Sequence, residues 1–216
     1  MDDSTPAIIT DGGLITLAFV WVRSIQLNFE SSKKIGDGDH KHVCYDEIQF
    51  GSRSEGHTMP HDLADINMYI EGCHMMRNGA LERLSDADLN FSPGGDNLTL
   101  GELFKQVGEH QYSYIQSLIT RKQDWSYRQD DPGLATSLTK LTHWFDQLDR
   151  QMQEVVNGFD RSDLEKPVDR TNGSIRSIMS QLDIYTQMML IFLGKIVIYF
   201  KAMPKPLPPS IEEYIG

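Results

Sequence analysis

The chain has 216 residues, with 20 Lys and Arg against 31 Asp and Glu, for a formal net charge of −11 at pH 7. That length allows one large domain or two small ones, with a core that needs no disulfide or structural metal. The acidic balance argues against nucleic acid and anionic membrane as partners, because phosphate contacts need clustered Lys and Arg and the field of the whole molecule repels them.

The two cysteines, Cys44 and Cys73, form no C-x-x-C pair. This removes zinc-knuckle and thioredoxin readings and points to a cytoplasmic protein. The apolar run over 14–22 is shorter than the roughly 18 residues a membrane span needs. Asp2, Asp3 and Asp11 ahead of it do not suit a secretory leader. Ile25, Leu27 and Phe29 alternate like a strand, a polar Gly-punctuated loop covers 31–42, and a second short strand is expected over 43–50. Residues 1–60 therefore read as a weakly structured or β-like appendage.

From residue 61 the pattern turns helical. Leu63, Ile66, Ile70, Cys73, Leu81 and Leu84 form the stripe of a first helix. Pro93-Gly94-Gly95 breaks the chain. A second helix opens at Thr99-Leu100-Gly101-Glu102, a capping box, with Leu100, Leu103, Val107, His110, Tyr114 and Leu118 on one face. A connection over 125–133 is the expected crossover. A third helix carries Leu138, Leu141, Phe145, Leu148, Met152, Val155 and Phe159. A fourth carries Ile175, Ile178, Leu182, Tyr185, Met189, Phe192, Ile196 and Tyr199, and it is apolar nearly all round over 188–200. Such a helix is central in a bundle or packs on a partner chain, so a homodimer is expected. Pro204, Pro206, Pro208 and Pro209 end it and lead into a tail over 210–216. The whole reads as an all-α four-helix bundle over 61–209. A weak internal repeat supports two helix–turn–helix halves: 84–89 with Pro93 returns as 159–164 with Pro167.

These residues resemble the DinB-like superfamily of metalloenzymes. The resemblance rests on Leu84-Ser85-Asp86-Ala87-Asp88-Leu89 with Pro93, on Leu98-Thr99-Leu100-Gly101-Glu102-Leu103, and on the closing segment from Gly194-Lys195 to Pro204-Lys205-Pro206. It implies a four-helix bundle, often dimeric, with three histidines around nickel or zinc. One of them lies two turns into the second helix. Two form an H-x-x-x-H pair on the fourth, where i and i+4 face the same way. The positions matching those ligands here carry Gln106, Met188 and Phe192, and the fourth helix has no histidine. Thioether, phenyl and carboxamide groups are poor partners for a divalent ion. The fold is therefore expected without the metal, cofactor-free, with a candidate pocket at Gln106, His110, Tyr114, Tyr185, Met188 and Phe192. The expected role is a small-molecule-binding or interaction module. The alternative is a metal-dependent thiol S-transferase with rearranged ligands, His110 the surrogate.

Other features have plainer expectations. His143 is expected at the surface or in packing. His57, His61 and His74, with His40 and His42, suggest at most an adventitious metal set. Met75, Met76, Met188 and Met189 suit a core. Lys122, Trp125, Tyr127 and Arg128 suit a packed connection, or stacking of a nucleobase or small anion. Asp183 and Gln187 are a weak replacement for the histidine pair. The sequence assigns no catalytic residue.

Overall fold

A computed structural model describes residues 63–215 of the chain. The expected elements in 1–60, and His40, His42, His57 and His61, lie outside the described residues. Four long helices dominate: α1 (Leu63–Leu81), α2 (Leu100–Thr120), α3 (Leu138–Asn157) and α4 (Ile178–Ala202). A two-stranded hairpin, β1 (Pro167–Asp169) and β2 (Ile175–Ser177), precedes α4, and a short helix, α5 (Pro209–Ile215), closes the chain.

Each helix start has a local cause. Thr99 accepts the Glu102 N–H while Glu102 accepts the Thr99 N–H at 2.8 Å, so the capping box satisfies donors that α2 would leave bare. Ser137 and Ser177 cap α3 and α4 by accepting the Lys140 and Ser180 N–H, without a reciprocal bond from the third residue. The fourth helix starts later than its apolar spacing suggests. Ile175 lies in β2, pairs with Asp169 and is exposed, because the hairpin takes the chain before Ser177 caps the helix. The segment expected as a tail is helical, and its Ile211 is buried, in a helix that packs on α1.

Side-chain pairings give the direction of each helix. Asn67 and Glu71 of α1 meet Gln153 of α3, while Arg77 meets Asp149, so α1 and α3 run antiparallel. Phe104 of α2 meets Phe192 of α4, while Tyr114 meets Tyr185, so α2 and α4 are antiparallel too. Gly108 lies against Trp144 and Gln111 bonds Asp149, which makes α2 and α3 parallel. Parallel neighbours need a crossover, and residues 121–137 supply it with a 3-10 turn at Leu134–Thr136. This is the middle connection that the sequence marks as the long one. Two glycines let it close: a Cβ on Gly101 would overlap the Ala135 carbonyl, and one on Gly108 would overlap the Trp144 ring.

The apolar stripes meet in one core. Ile70, Leu100, Phe104, Leu141, Phe145, Met152, Leu182, Met189 and Ile196 are fully buried. α4 is long and apolar enough to cross a membrane by length and composition, but it is packed against α1 and α2 in the bundle. The repeat has a structural counterpart. Ser85 donates its backbone N–H to Asp88, Asp160 donates its own to Asp163, and Leu89 and Leu164 follow as buried anchors.

Candidate functional site

Three regions carry the polar chemistry. The first is a charged cluster inside the bundle. Arg77 of α1 is fully buried, donates to Gln111 at 2.9 Å and to Asn78 at 2.9 Å, and pairs with Asp149 of α3 at 2.5 Å. Its guanidinium lies 4.0 Å from the centre of the Phe145 ring. Asp149 also accepts from Gln111 at 2.8 Å and lies 3.1 Å from Nδ1 of His74. The other ring nitrogen, Nε2, is 2.6 Å from the Tyr185 hydroxyl.

The protonation pattern follows from the partners. Burial, with Arg77 adding to it, pushes His74 down to about 4 against the pull of Asp149, so the imidazole is neutral at pH 7. A carboxylate only accepts, so Nδ1 holds the proton and Nε2 takes the Tyr185 O–H. Burial raises the Tyr185 phenol well above its ordinary value and pushes the Cys73 thiol up to about 12, so both stay protonated. Cys73 is therefore an inert core thiol. Tyr185 is fully buried and cannot touch a molecule in solvent. The Asp149–His74–Tyr185 line thus orients the imidazole and does not present a nucleophile.

One edge of this cluster reaches a cleft of about 570 Å³ between α1, α3 and α5. His74 and Asp149 lie along it, with Glu71, Asn78 and Glu82 from α1 and its exit, and Pro208 and Ser210 from the closing segment. Sequence reasoning grouped His74 with the N-terminal histidines and missed this site. The signal available was Cys73-His74 on the apolar stripe of helix 1, with Arg77 one turn on. Three polar residues on a buried stripe imply partners.

The second region joins the crossover to the bundle end. Gln181 of α4 donates to Ser117 at 2.8 Å and to Gln123, which donates to Ser113 at 2.6 Å, and Arg170 of the hairpin donates to Gln181 at 2.7 Å. This network holds Trp125 and Arg170 against Tyr114. The guanidinium is 5.8 Å from both ring centres.

The third region holds the residues the sequence named as a pocket. Tyr114 and Tyr185 come together at 5.4 Å between ring centres, and Phe192 packs on Phe104 at 5.4 Å. His110 meets the Trp125 ring edge-on at 5.8 Å. Gln106 is exposed and Met188 half-buried. The expected pocket is thus two environments: an aromatic core under Tyr114, Tyr185 and Phe192, and a surface with Gln106 and His110. Among the described residues no group of three or more His, Cys, Asp or Glu side chains is placed to hold a metal ion. The carboxamide, thioether and phenyl groups at 106, 188 and 192 do not fit one either.

Of the remaining candidates, His143 is exposed and lies 3.1 Å from Gln147. Tyr127 stacks on Tyr112 at 3.9 Å, and Arg128 donates to the carbonyls of Trp125 and Tyr127, as suits a packed connection. Met76 and Met188 are half-buried against the core and Met189 is in it, while Met75 is exposed beside the cleft. Asp183 and Gln187 are both half-buried.

A bundle with parallel central helices, a long crossover and a capped second helix is the class this geometry defines. A family profile for the DinB superfamily matches residues 69–187, more than half of the chain, and the protein belongs to that superfamily. The fold is also similar to that of a DinB-like protein, YjoA, of Bacillus subtilis. The TM-score is 0.56 at 12% identity, over 67% of this chain and 94% of that one. No curated protein matches the sequence.

Proposed function

We propose that this DinB bundle works without the three-histidine metal site, as a small-molecule-binding module that self-associates through α4. The observation that carries the binding role is the cleft along His74 and Asp149, an open volume beside oriented polar groups and a buried charge pair. The donor set at Gln106, Met188 and Phe192 supports the loss of metal. A cytoplasmic setting accords with the free, buried Cys73 thiol.

The homodimer reading gains a specific face. Ile191 and Ile198 are exposed on α4 on either side of Gly194, where a side chain would meet open space. Met189 and Ile196, which lie on the stripe that first suggested a partner, are fully buried instead. Two exposed isoleucines with a glycine between them, and Lys195 beside it, suit close approach of a second helix.

Fragment screening by amide NMR tests the binding role, read at Gly79 and Gln153 beside the cleft. Fragments should shift these signals in the wild type and not in Ser210→Trp, which fills the cleft mouth. A library that leaves them unmoved overturns the reading. So does tightly bound stoichiometric nickel or zinc that is lost in His110→Ala. Sedimentation of Ile191→Asp/Ile198→Asp should show a monomer at concentrations where the wild type is a dimer, and an unchanged mass rejects the α4 interface.

A further inference from the structure

The cleft between α1, α3 and α5 carries a pattern along its α1 wall. Glu71, Met75, Asn78 and Glu82 line it at i, i+4, i+7 and i+11, the spacing of one helix face. The Glu82 N–H bonds the Asn78 carbonyl at 3.0 Å, so the helical turn runs on to Glu82 past the end of α1. The two glutamates therefore stand about 16 Å apart along the axis, three turns of about 5.4 Å each. A carboxylate stands at each end of the wall, with Met75 between them.

The ends and the middle differ in chemistry. Oε1 of Glu71 accepts from Asn67 at 3.1 Å and from Gln153 at 2.6 Å, which fixes this carboxylate across α1 and α3. Its Oε2 has no hydrogen-bond partner among the described residues, and neither has the Glu82 carboxylate. The stretch between them is apolar. Met75 is 58% exposed, and Pro208 and Pro209 line the cleft from the closing segment. A Cβ on Gly79 would lie 3.2 Å from Ser210 and 3.7 Å from Pro208, so the glycine lets that segment sit close to α1. A thioether and two proline rings offer no charge and no N–H, so this stretch suits methylene groups.

The other charges along the cleft are accounted for. Asp149 already holds Arg77, Gln111 and His74 on its oxygens. Arg83 is exposed and forms no ion pair among the described residues. Two unspent carboxylates against one guanidinium leave the cleft negative, in a chain of net charge −11.

We infer that the cleft binds a linear aliphatic polyamine, with one terminal ammonium on Glu71, the other on Glu82, and its methylene run over Met75 and the two prolines. The inference rests on the cleft being the binding site proposed above and names the ligand class it takes. An ammonium has three donors and no acceptor, so it satisfies carboxylates that the protein leaves open. A short diamine reaches one end only. An ω-amino acid would set its carboxylate on Arg83 and leave one glutamate unmet. A hydrated inorganic cation gains nothing from the apolar stretch.

Spermine is the probe, titrated into the full chain by calorimetry and amide NMR in about 0.15 M salt, which screens general attraction to an acidic surface. Putrescine, 6-aminohexanoate and magnesium are the comparison arms. Spermine should saturate at one per chain, shift Met75, Gly79 and Gln153, and bind about tenfold more tightly than putrescine through its second charged contact. Glu71→Gln and Glu82→Gln keep the shape of the wall and should each weaken spermine by about fivefold, as suits a contact open to solvent. Arg83→Gln should tighten it. Magnesium giving the same shifts, 6-aminohexanoate binding as tightly as spermine, or an affinity unchanged in either glutamate variant overturns the inference. Neutral fragments that shift Gly79 and Gln153 where spermine does not reject the polyamine and keep the cleft as a binding site. If neither moves these signals, both readings fall.

Discussion

Asp149→Ala removes the carboxylate that neutralises a guanidinium with no solvent exposure. Arg77 keeps Gln111 and Asn78 as acceptors, but neither carries charge. Breaking a buried pair from one side costs about 3–5 kcal/mol, because the remaining charge is left uncompensated. The Asp149 side chain is 19% exposed, so water can enter and the lower half of that range applies to the pair. The His74 Nδ1–H and a Gln111 N–H also lose their acceptor, at about 1 kcal/mol each. The total is about 5–6 kcal/mol, against about 5–15 kcal/mol for a whole domain. Urea unfolding followed by circular dichroism should show the midpoint falling at constant slope. Thermal midpoints should drop by about 10–24 °C at about 2–4 °C per kcal/mol for a domain of this size. Arg77→Met combined with Asp149→Ala should recover much of the loss, since no charge is then buried. A single variant that costs less than about 1 kcal/mol, or a double variant no better than the single, refutes this account of the cluster.

Two further outcomes follow from the same packing. His74 is pushed down to about 4 in the folded chain against about 6.5 when unfolded, so below pH 6.5 the unfolded chain takes a proton that the folded one refuses. Stability should therefore fall as pH drops from about 6.5 to about 4, by up to about 1.4 kcal/mol per pH unit, a share missing from His74→Gln. Equal pH slopes in the two proteins by urea titration reject it. Gly108→Ala should cost about 1–3 kcal/mol although alanine is the better helix former, because its Cβ overlaps the Trp144 ring and α2 must move from α3. A variant that melts at or above the wild-type temperature contradicts that close approach.

Most of the bundle was legible because its signals are local. The Thr99–Glu102 box and the three-and-four spacing from Leu100 to Leu118 need no tertiary information, and α2 lies where they put it. The hairpin was not legible. β1 and β2 are three residues each, and Ile175 continues the helical spacing of Ile178 and Leu182 by coincidence. What excludes it from α4 is long-range: the Gln123 N–H donates to the Asp169 carbonyl at 2.7 Å and the Asp169 N–H to the Arg121 carbonyl at 2.9 Å, which ties the hairpin to the crossover. The Ile211 anchor was hidden for a similar reason, since four prolines suggest an extended exit and only the face of α1 makes burial worthwhile.

The polar cluster was hidden by helix direction. Arg77, Gln111 and Asp149 stand on three different helices and meet only if α2 and α3 run parallel. In this arrangement the crossover sets α3 parallel to α2, so that Gln111 and Asp149 both face Arg77. Its own anchoring depends on Ser113, Ser117, Gln123 and Gln181, which bond one another at the opposite end of α2 from Thr99. The same crossover carries Trp125 and Arg128 to the side of His110. One topological choice, a long connection between parallel helices, thus pairs the buried guanidinium and sets Trp125 edge-on against His110.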